Sequence, residues 1–131
     1  MVGIKKHIKI SSGVILFRKD GIVEIVFDNQ LLLDIDQCYE IMEAYKANLG
    51  DIKAPILHII GKYMNATKEA REFGASAEGL KNSIAEAYVF DSLPHRIIAN
   101  FYIKFNKPTV PTKFFKTKIE AEVWLKAFLK K

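Results

Sequence analysis

The sequence predicts an α/β domain: an N-terminal β-hairpin, then strand–helix units, on a mixed and mostly parallel sheet of four or five strands with about four helices. Three observations carry this. Residues 14–19 (VILFRK) and 22–27 (IVEIVF) are β-rich runs on either side of Asp20-Gly21. That dipeptide is favoured in two-residue hairpin turns because both positions accept positive φ. Residues 84–129 read as strand, helix, strand, helix, with a capping signal at each helix start. Residues 56–60, Ile-Leu-His-Ile-Ile after Pro55, are apolar nearly throughout, which suits a strand covered on both faces of a parallel sheet. Strands alternating with helices after a hairpin give a layered domain with right-handed crossovers.

Residues 1–12 are polar and basic, and leave two readings open: an edge strand through Ile4, Ile8 and Ile10, or a loose arm. After the hairpin, residues 28–33 form a connection. Asp34 with Gln37 three residues on has capping-box spacing, so a helix starts there. Cys38, Ile41, Met42, Tyr45 and Leu49 repeat at helical spacing and predict its buried stripe. Gly50 is expected to end it as an αL cap. Past the apolar strand, residues 61–66 (GKYMNA) form a loop, and Thr67 is a good N-cap for a short helix with Ala70, Phe73 and Gly74. Residues 75–83 are a looser connection around Gly79, and residues 84–90 the next strand. Asp91 and Ser92 cap a helix with Pro94 in its first turn, where a missing N–H does no harm. Its buried face is predicted as Ile97, Ile98, Phe101 and Phe105, and Asn106-Lys107-Pro108 stops it. Residues 112–116 (TKFFK) are a last short strand. Thr117 with Glu120 opens the final helix, which Ile119, Val123, Trp124, Ala127 and Phe128 are expected to dock on the sheet.

The chain of 131 residues is long enough for one core, and half its residues are hydrophobic, so residues 1–131 are expected to form a single domain. The apolar runs are too short to span a bilayer. The N-terminus has lysines but no apolar run and no small-residue cleavage site, so no signal peptide is expected. One cysteine excludes an internal disulfide framework. Together these predict a cytoplasmic protein. A net charge of +5 and a pI near 9.3 suit acidic partners. However, the lysines are spread over Lys104, Lys107, Lys113, Lys116, Lys118, Lys126, Lys130 and Lys131, and the only arginines are Arg18, Arg71 and Arg96. That is the pattern of a solvated lysine surface, and neither nucleic acid nor a membrane is an expected partner.

DGIVEIVF at residues 20–27, TKEAREF at 67–73, and DSLPHRIIANFYIKFNKP through PTKFF to EAEVWL carry a likeness over nearly the whole chain. The chain resembles the SpoIIAA-like or STAS-like group, the fold of the sporulation anti-sigma-factor antagonists, and within it a small stand-alone bacterial branch. The resemblance implies βα units wound as a superhelix. It also implies a regulatory role: in the group's well-understood members a serine at the start of the helix after the middle strand is phosphorylated, which switches binding to a kinase-like partner. Thr67 occupies that place here, although the chain reads Asn65-Ala66-Thr67-Lys68 where the group carries D-S-S-G.

Two places are therefore candidate sites. Thr67 is a phosphorylation candidate, with Asn65, Lys68 and Arg71 beside it as anion- or partner-binding residues; its plain structural role is an N-cap. Ser92, His95 and Arg96 form the second, because open α/β sheets bind ligands at strand C-terminal ends, and two basic residues in a helix's first turn hint at an anion. The alternative is a cap with Arg96 paired to Asp91. Asp91, Ser92 and His95 lie too close along one turn to converge as a catalytic triad. Cys38 reads as a buried structural thiol, His58 as a satisfied core histidine, and Tyr63 and Tyr102 as exposed aromatics at an interface.

The expectation is a non-catalytic regulatory or protein-interaction domain, with no cofactor and no metal, binding a protein partner through residues 61–71 and 91–96; a homodimer would form through an edge strand or the exposed face of a helix. The alternative is a small-molecule or lipid-binding domain using the same end of the sheet. Shape separates the two: a docking domain presents a flat apolar patch, whereas a ligand binder has a concave apolar pocket of roughly a few hundred Å³ with convergent polar groups.

Overall fold

The computed structural model describes residues 3–129; Lys130 and Lys131, and the first two residues of the basic N-terminal stretch, lie outside the described residues. Eight strands and four helices run in the order β1 (Ile4–Ile10), β2 (Gly13–Arg18), β3 (Val23–Phe27), β4 (Leu32–Leu33), α1 (Ile35–Leu49), β5 (Ala54–Ile59), β6 (Asn65–Ala66), α2 (Lys68–Ala75), β7 (Ser83–Val89), α3 (Leu93–Phe101), β8 (Thr112–Phe115) and α4 (Lys118–Lys126). A π-helical turn, Tyr102–Asn106, extends α3. The main sheet has six strands in the order β1-β2-β3-β5-β7-β8. The first two pairings are antiparallel and the last three parallel. The sheet exceeds four or five strands because residues 4–10 form an edge strand, not a loose arm. A second, two-stranded parallel sheet joins β4 to β6, so the connection at residues 28–33 and the loop at 61–66 hold each other.

The local signals act largely as the sequence indicates. Asp34 accepts from Gln37 N at 2.8 Å, and Gln37 Oε1 accepts from Asp34 N at 3.1 Å, completing the capping box. Thr67, Ser92 and Thr117 cap α2, α3 and α4 through their hydroxyl oxygens. Gly50 does end α1 with positive φ, but its ψ of −118° lies outside the αL region. At the hairpin only Gly21 has positive φ. The loop is not the expected two-residue Asp-Gly turn: Arg18 N donates to the Ile22 carbonyl at 3.1 Å and Gly21 N to the Arg18 carbonyl at 3.2 Å, so three residues, 19–21, make the turn and only the last needs positive φ. Asp20 Oδ1 accepts from Ile22 N at 3.1 Å while Oδ2 meets Arg18.

Two apolar clusters lie on opposite faces of the sheet. On one, Ile15, Phe17, Ile25 and Ile56 pack against Ile41 and Tyr45 of α1. On the other, Leu57, Ala85 and Ala87 meet Ala121 and Leu125 of α4. Ile56 and Leu57 are both 0 % exposed, so β5 is covered on both faces. α4 lies directly on β5, β7 and β8.

The exposed sides of the last two helices differ from expectation. In α3, Ile97 and Phe101 are exposed, as is Phe105 in the π turn; Ala99 and Tyr102 are buried instead, with Ile98 partly so. In α4 and the residues that follow it, Ile119, Val123 and Ala127 are exposed, whereas Ala121 and Leu125 are buried and Trp124 and Phe128 partly buried. Both helices carry two apolar stripes, and periodicity alone does not say which one faces the sheet. Small residues decide it: Ala121, at 0 % exposure, lets α4 approach closely.

Candidate functional site

β5 and β7 are neighbours with His58 opposite Tyr88 and Ile56 opposite Glu86. Because side chains alternate along a strand, His58, Glu86 and Tyr88 share the sheet face that α1 covers. Three polar groups thus stand where a core would be apolar. Above them the helices contribute small residues, Ala70, Gly74 and Ala99. The result is a cavity of about 190 Å³ between this face and α1, α2 and α3, with mostly apolar walls that include Phe27, Ile41, Met42 and Ile98. Gly79 belongs to its lining, and a Cβ there would stand 2.0 Å from the Phe73 carbonyl oxygen; only glycine allows the loop after α2 to pass so closely.

The floor is a hydrogen-bonded stack. His58 lies nearly parallel to Phe27 and Tyr88, with ring centroids 6.0 and 4.3 Å away. Its Nε2 is 2.5 Å from Glu86 Oε1. Ser83 Oγ donates to Glu86 Oε2 at 2.6 Å, and Tyr88 Oη to Glu86 Oε1 at 3.3 Å. A carboxylate only accepts, so Nε2 is the donor in this contact. Among the described residues, His58 Nδ1 and Tyr45 Oη are buried without a hydrogen-bond partner. Burial, with the nearby charge of Glu86 adding to it, holds the Tyr45 and Tyr102 hydroxyls above the ordinary tyrosine range. Burial, with the charge of Asp34, pushes the Cys38 thiol up to about 11, so it is a poor nucleophile.

The predicted site residues divide among three places. Asn65, Arg71 and His95 line the cavity. Asn65 Oδ1 accepts from Ala66 N at 2.7 Å. Arg71 is half-buried; its Nη1 donates to the Ala66 carbonyl at 2.5 Å, and it forms no salt bridge among the described residues. His95 Nε2 lies 2.7 Å from the Met64 carbonyl oxygen. Ser92 and Arg96 border a separate surface depression with Asn100 and Lys116. Arg96 is exposed and has no ion pair with Asp91. Thr67 and Lys68 line neither; Thr67 Oγ1 accepts from Ala70 N at 3.2 Å as a cap. Ser92 likewise accepts from His95 N at 3.2 Å, so Ser92 and His95 are held by cap and backbone bonds rather than by each other as a triad.

Sequence reasoning missed Glu86, Tyr45 and Tyr88, and placed Tyr102 at an exposed interface although it is buried. His58 is satisfied at one nitrogen only. The signal was present in part: Glu86 in AEAYV and His58 in ILHII are ionisable residues inside apolar strands, which occur there when paired. Among the described residues no cluster of three or more His, Cys, Asp or Glu is placed to hold a metal ion, and no helix is long and apolar enough to cross a membrane.

The chain is similar in structure to an uncharacterised protein of the DUF3478 family with a SpoIIAA-like fold from Shewanella loihica PV-4, with TM-score 0.54, 17 % identity and coverage of 95 % of both chains. It also aligns with a protein of unknown function from Arthrobacter sp. FB24, at TM-score 0.32 and 22 % identity, covering 85 % of this chain and 96 % of that one. No curated protein matches the sequence. The Shewanella likeness speaks to fold alone, and agrees with the mixed sheet described above: the fold is SpoIIAA-like. Residues 16–129 match the family described as a domain of unknown function, DUF7793, and the chain belongs to that family.

Proposed function

We propose that the chain is a non-catalytic, cytoplasmic regulatory domain of the SpoIIAA type whose signal is a small, largely apolar molecule held in the cavity beneath α1, α2 and α3. The carrying observation is the cavity itself: about 190 Å³, apolar walls, and a floor that leaves His58 Nδ1 and Tyr45 Oη without partners. A concave apolar site with a few convergent polar groups is the general form of a small-molecule pocket. The non-catalytic reading is supported by the raised thiol of Cys38, and by the use of Ser92 Oγ as a helix cap while the His95 imidazole meets the Met64 carbonyl. The test is a ¹H–¹⁵N NMR titration with p-xylene. Amide shifts confined to residues such as Ile41, Ala70 and Ala99, and lost in Ala99→Leu, are the expected result. No shift at millimolar concentration overturns the reading.

A second reading, docking of a protein partner, is favoured by the apolar stripe Leu93, Ile97, Phe101 and Phe105, which are 64, 62, 48 and 60 % exposed. They recur every four residues and line one side of α3 and its π turn, adjoining the turn at residues 91–96. Pull-down from native lysate with Phe101→Ser and Ile97→Ser as controls tests it; equal recovery by wild type and variants removes this reading.

A further inference from the structure

We infer that the cavity is built for an apolar monocarboxylate, with its ring or hydrocarbon body against the floor and its carboxylate on Arg71 at the rim. The inference rests on the small-molecule reading above.

Arg71 carries the argument. A guanidinium has five N–H donors in a planar fork that matches a carboxylate. Arg18, the buried arginine of the other sheet face, meets three carboxylates, Asp20, Glu24 and Glu122. Arg71 is half-buried on the cavity lining, yet among the described residues its guanidinium makes one bond, the donation from Nη1 to the Ala66 carbonyl. A partly desolvated guanidinium without an acid is strongly favourable ground for an anion, and charge-assisted bonds there are roughly twice as strong as neutral ones.

The floor fixes the orientation. Glu86 is 4 % exposed and is already engaged by His58, Ser83 and Tyr88. Its negative charge repels a second carboxylate from the deep end and leaves the rim as the place for an acid head. Size limits the body. A dry cavity of about 150 Å³ accepts benzene, so 190 Å³ accommodates one ring with a short arm. The overall charge of +5 further favours an anionic ligand over a cationic one.

Phenylacetate and its neutral isostere phenylacetamide are the probes, titrated by ¹H–¹⁵N NMR against the full chain. The expected result is at least about tenfold tighter binding of phenylacetate, as one charge-assisted bond provides, with the preference abolished in Arg71→Met and partly kept in Arg71→Lys. Equal binding of both probes at the cavity amides overturns the carboxylate inference and leaves the small-molecule reading standing. Shifts from neither probe overturn both. The wild-type comparison of the two probes decides the matter even where Arg71→Met folds poorly.

Discussion

Arg18 Nη1 donates to Glu122 Oε2 at 2.6 Å, across 104 residues of sequence. This bond ties the N-terminal hairpin to the last helix. The same guanidinium binds Asp20 through Nε and Nη2, and Glu24 through Nη1 at 3.1 Å. Lys118 Nζ closes the cluster on Glu24 at 2.9 Å. Burial alone would pull the Arg18 pKa down, but the bonds and charge of Asp20, Glu122 and Glu24 outweigh it, and the net shift is upward.

Arg18→Met therefore removes the centre of the cluster and leaves Glu24, 4 % exposed, with Lys118 alone. Breaking one side of a buried charge pair is strongly unfavourable, so the loss of stability is expected at about 3 kcal/mol. Urea denaturation of the two proteins at pH 7 measures it. A loss under about 1 kcal/mol, the range of a surface pair, would show that the cluster is an exposed network in solution.

Asp20 makes that stability depend on pH. Burial raises its pKa, but the bonds from Arg18 and the Ile22 N–H, with the charge of Arg18, lower it further, and the net shift is downward. The folded state then binds the proton less well than the unfolded one. Its contribution is present above the unfolded value, about 3.9, and is lost as pH falls through the lowered folded value. Asp20→Asn is expected to be less stable than wild type at pH 7, with the gap closing as pH falls below 4. Denaturation midpoints from pH 2.5 to pH 7 supply the comparison; a constant gap would contradict it.

On the cavity floor, two single substitutions should differ in sign. Tyr45→Phe removes a buried hydroxyl that has no partner, so it is expected to be neutral or stabilising by up to about 1 kcal/mol. Glu86→Ala strips the acceptor from His58, Ser83 and Tyr88, and is expected to destabilise by about 1–3 kcal/mol. Thermal unfolding of the pair is sufficient, and a drop in Tm for Tyr45→Phe comparable to that of Glu86→Ala would refute the floor as described.

The two faces of the last helix give the fourth test. Leu125 is 0 % exposed against the sheet, whereas Val123 is exposed. Leu125→Ala is expected to cost about 2–5 kcal/mol, and Val123→Ala to stay within about 0.5 kcal/mol. Chemical denaturation distinguishes this arrangement from the one periodicity suggests, in which Val123 would be the more sensitive position.

The caps, the hairpin and the twofold-covered strand were legible because each depends on residues within a few positions. Asp34 and Gln37, Thr67 and Ala70, and Thr117 and Glu120 meet through one turn of backbone, whatever the rest of the chain does. The candidate site was half legible. Asn65 and Arg71, named as neighbours of the Thr67 cap, and His95, named from its place after a strand end, line the cavity. Glu86, Tyr45 and Tyr88 were not found, since no local rule marks them as neighbours.

By itself, then, the sequence determined the main strands and helices from the hairpin onward, the order of βα units and the helix starts, all matters of local hydrogen bonding and apolar period; it did not show the short strands at residues 32–33 and 65–66. The tertiary structure alone decided which apolar stripe of α3 and α4 turns inward, that Arg18 reaches Glu122, and that His58 meets Glu86 beneath a cavity. Those outcomes depend on strand register and on how closely helices approach the sheet. A register of one residue more or less would send His58 and Glu86 to opposite faces, and small residues such as Ala99 and Ala121 set the approach. Both are settled by packing of the whole chain at once, which no single window of sequence contains.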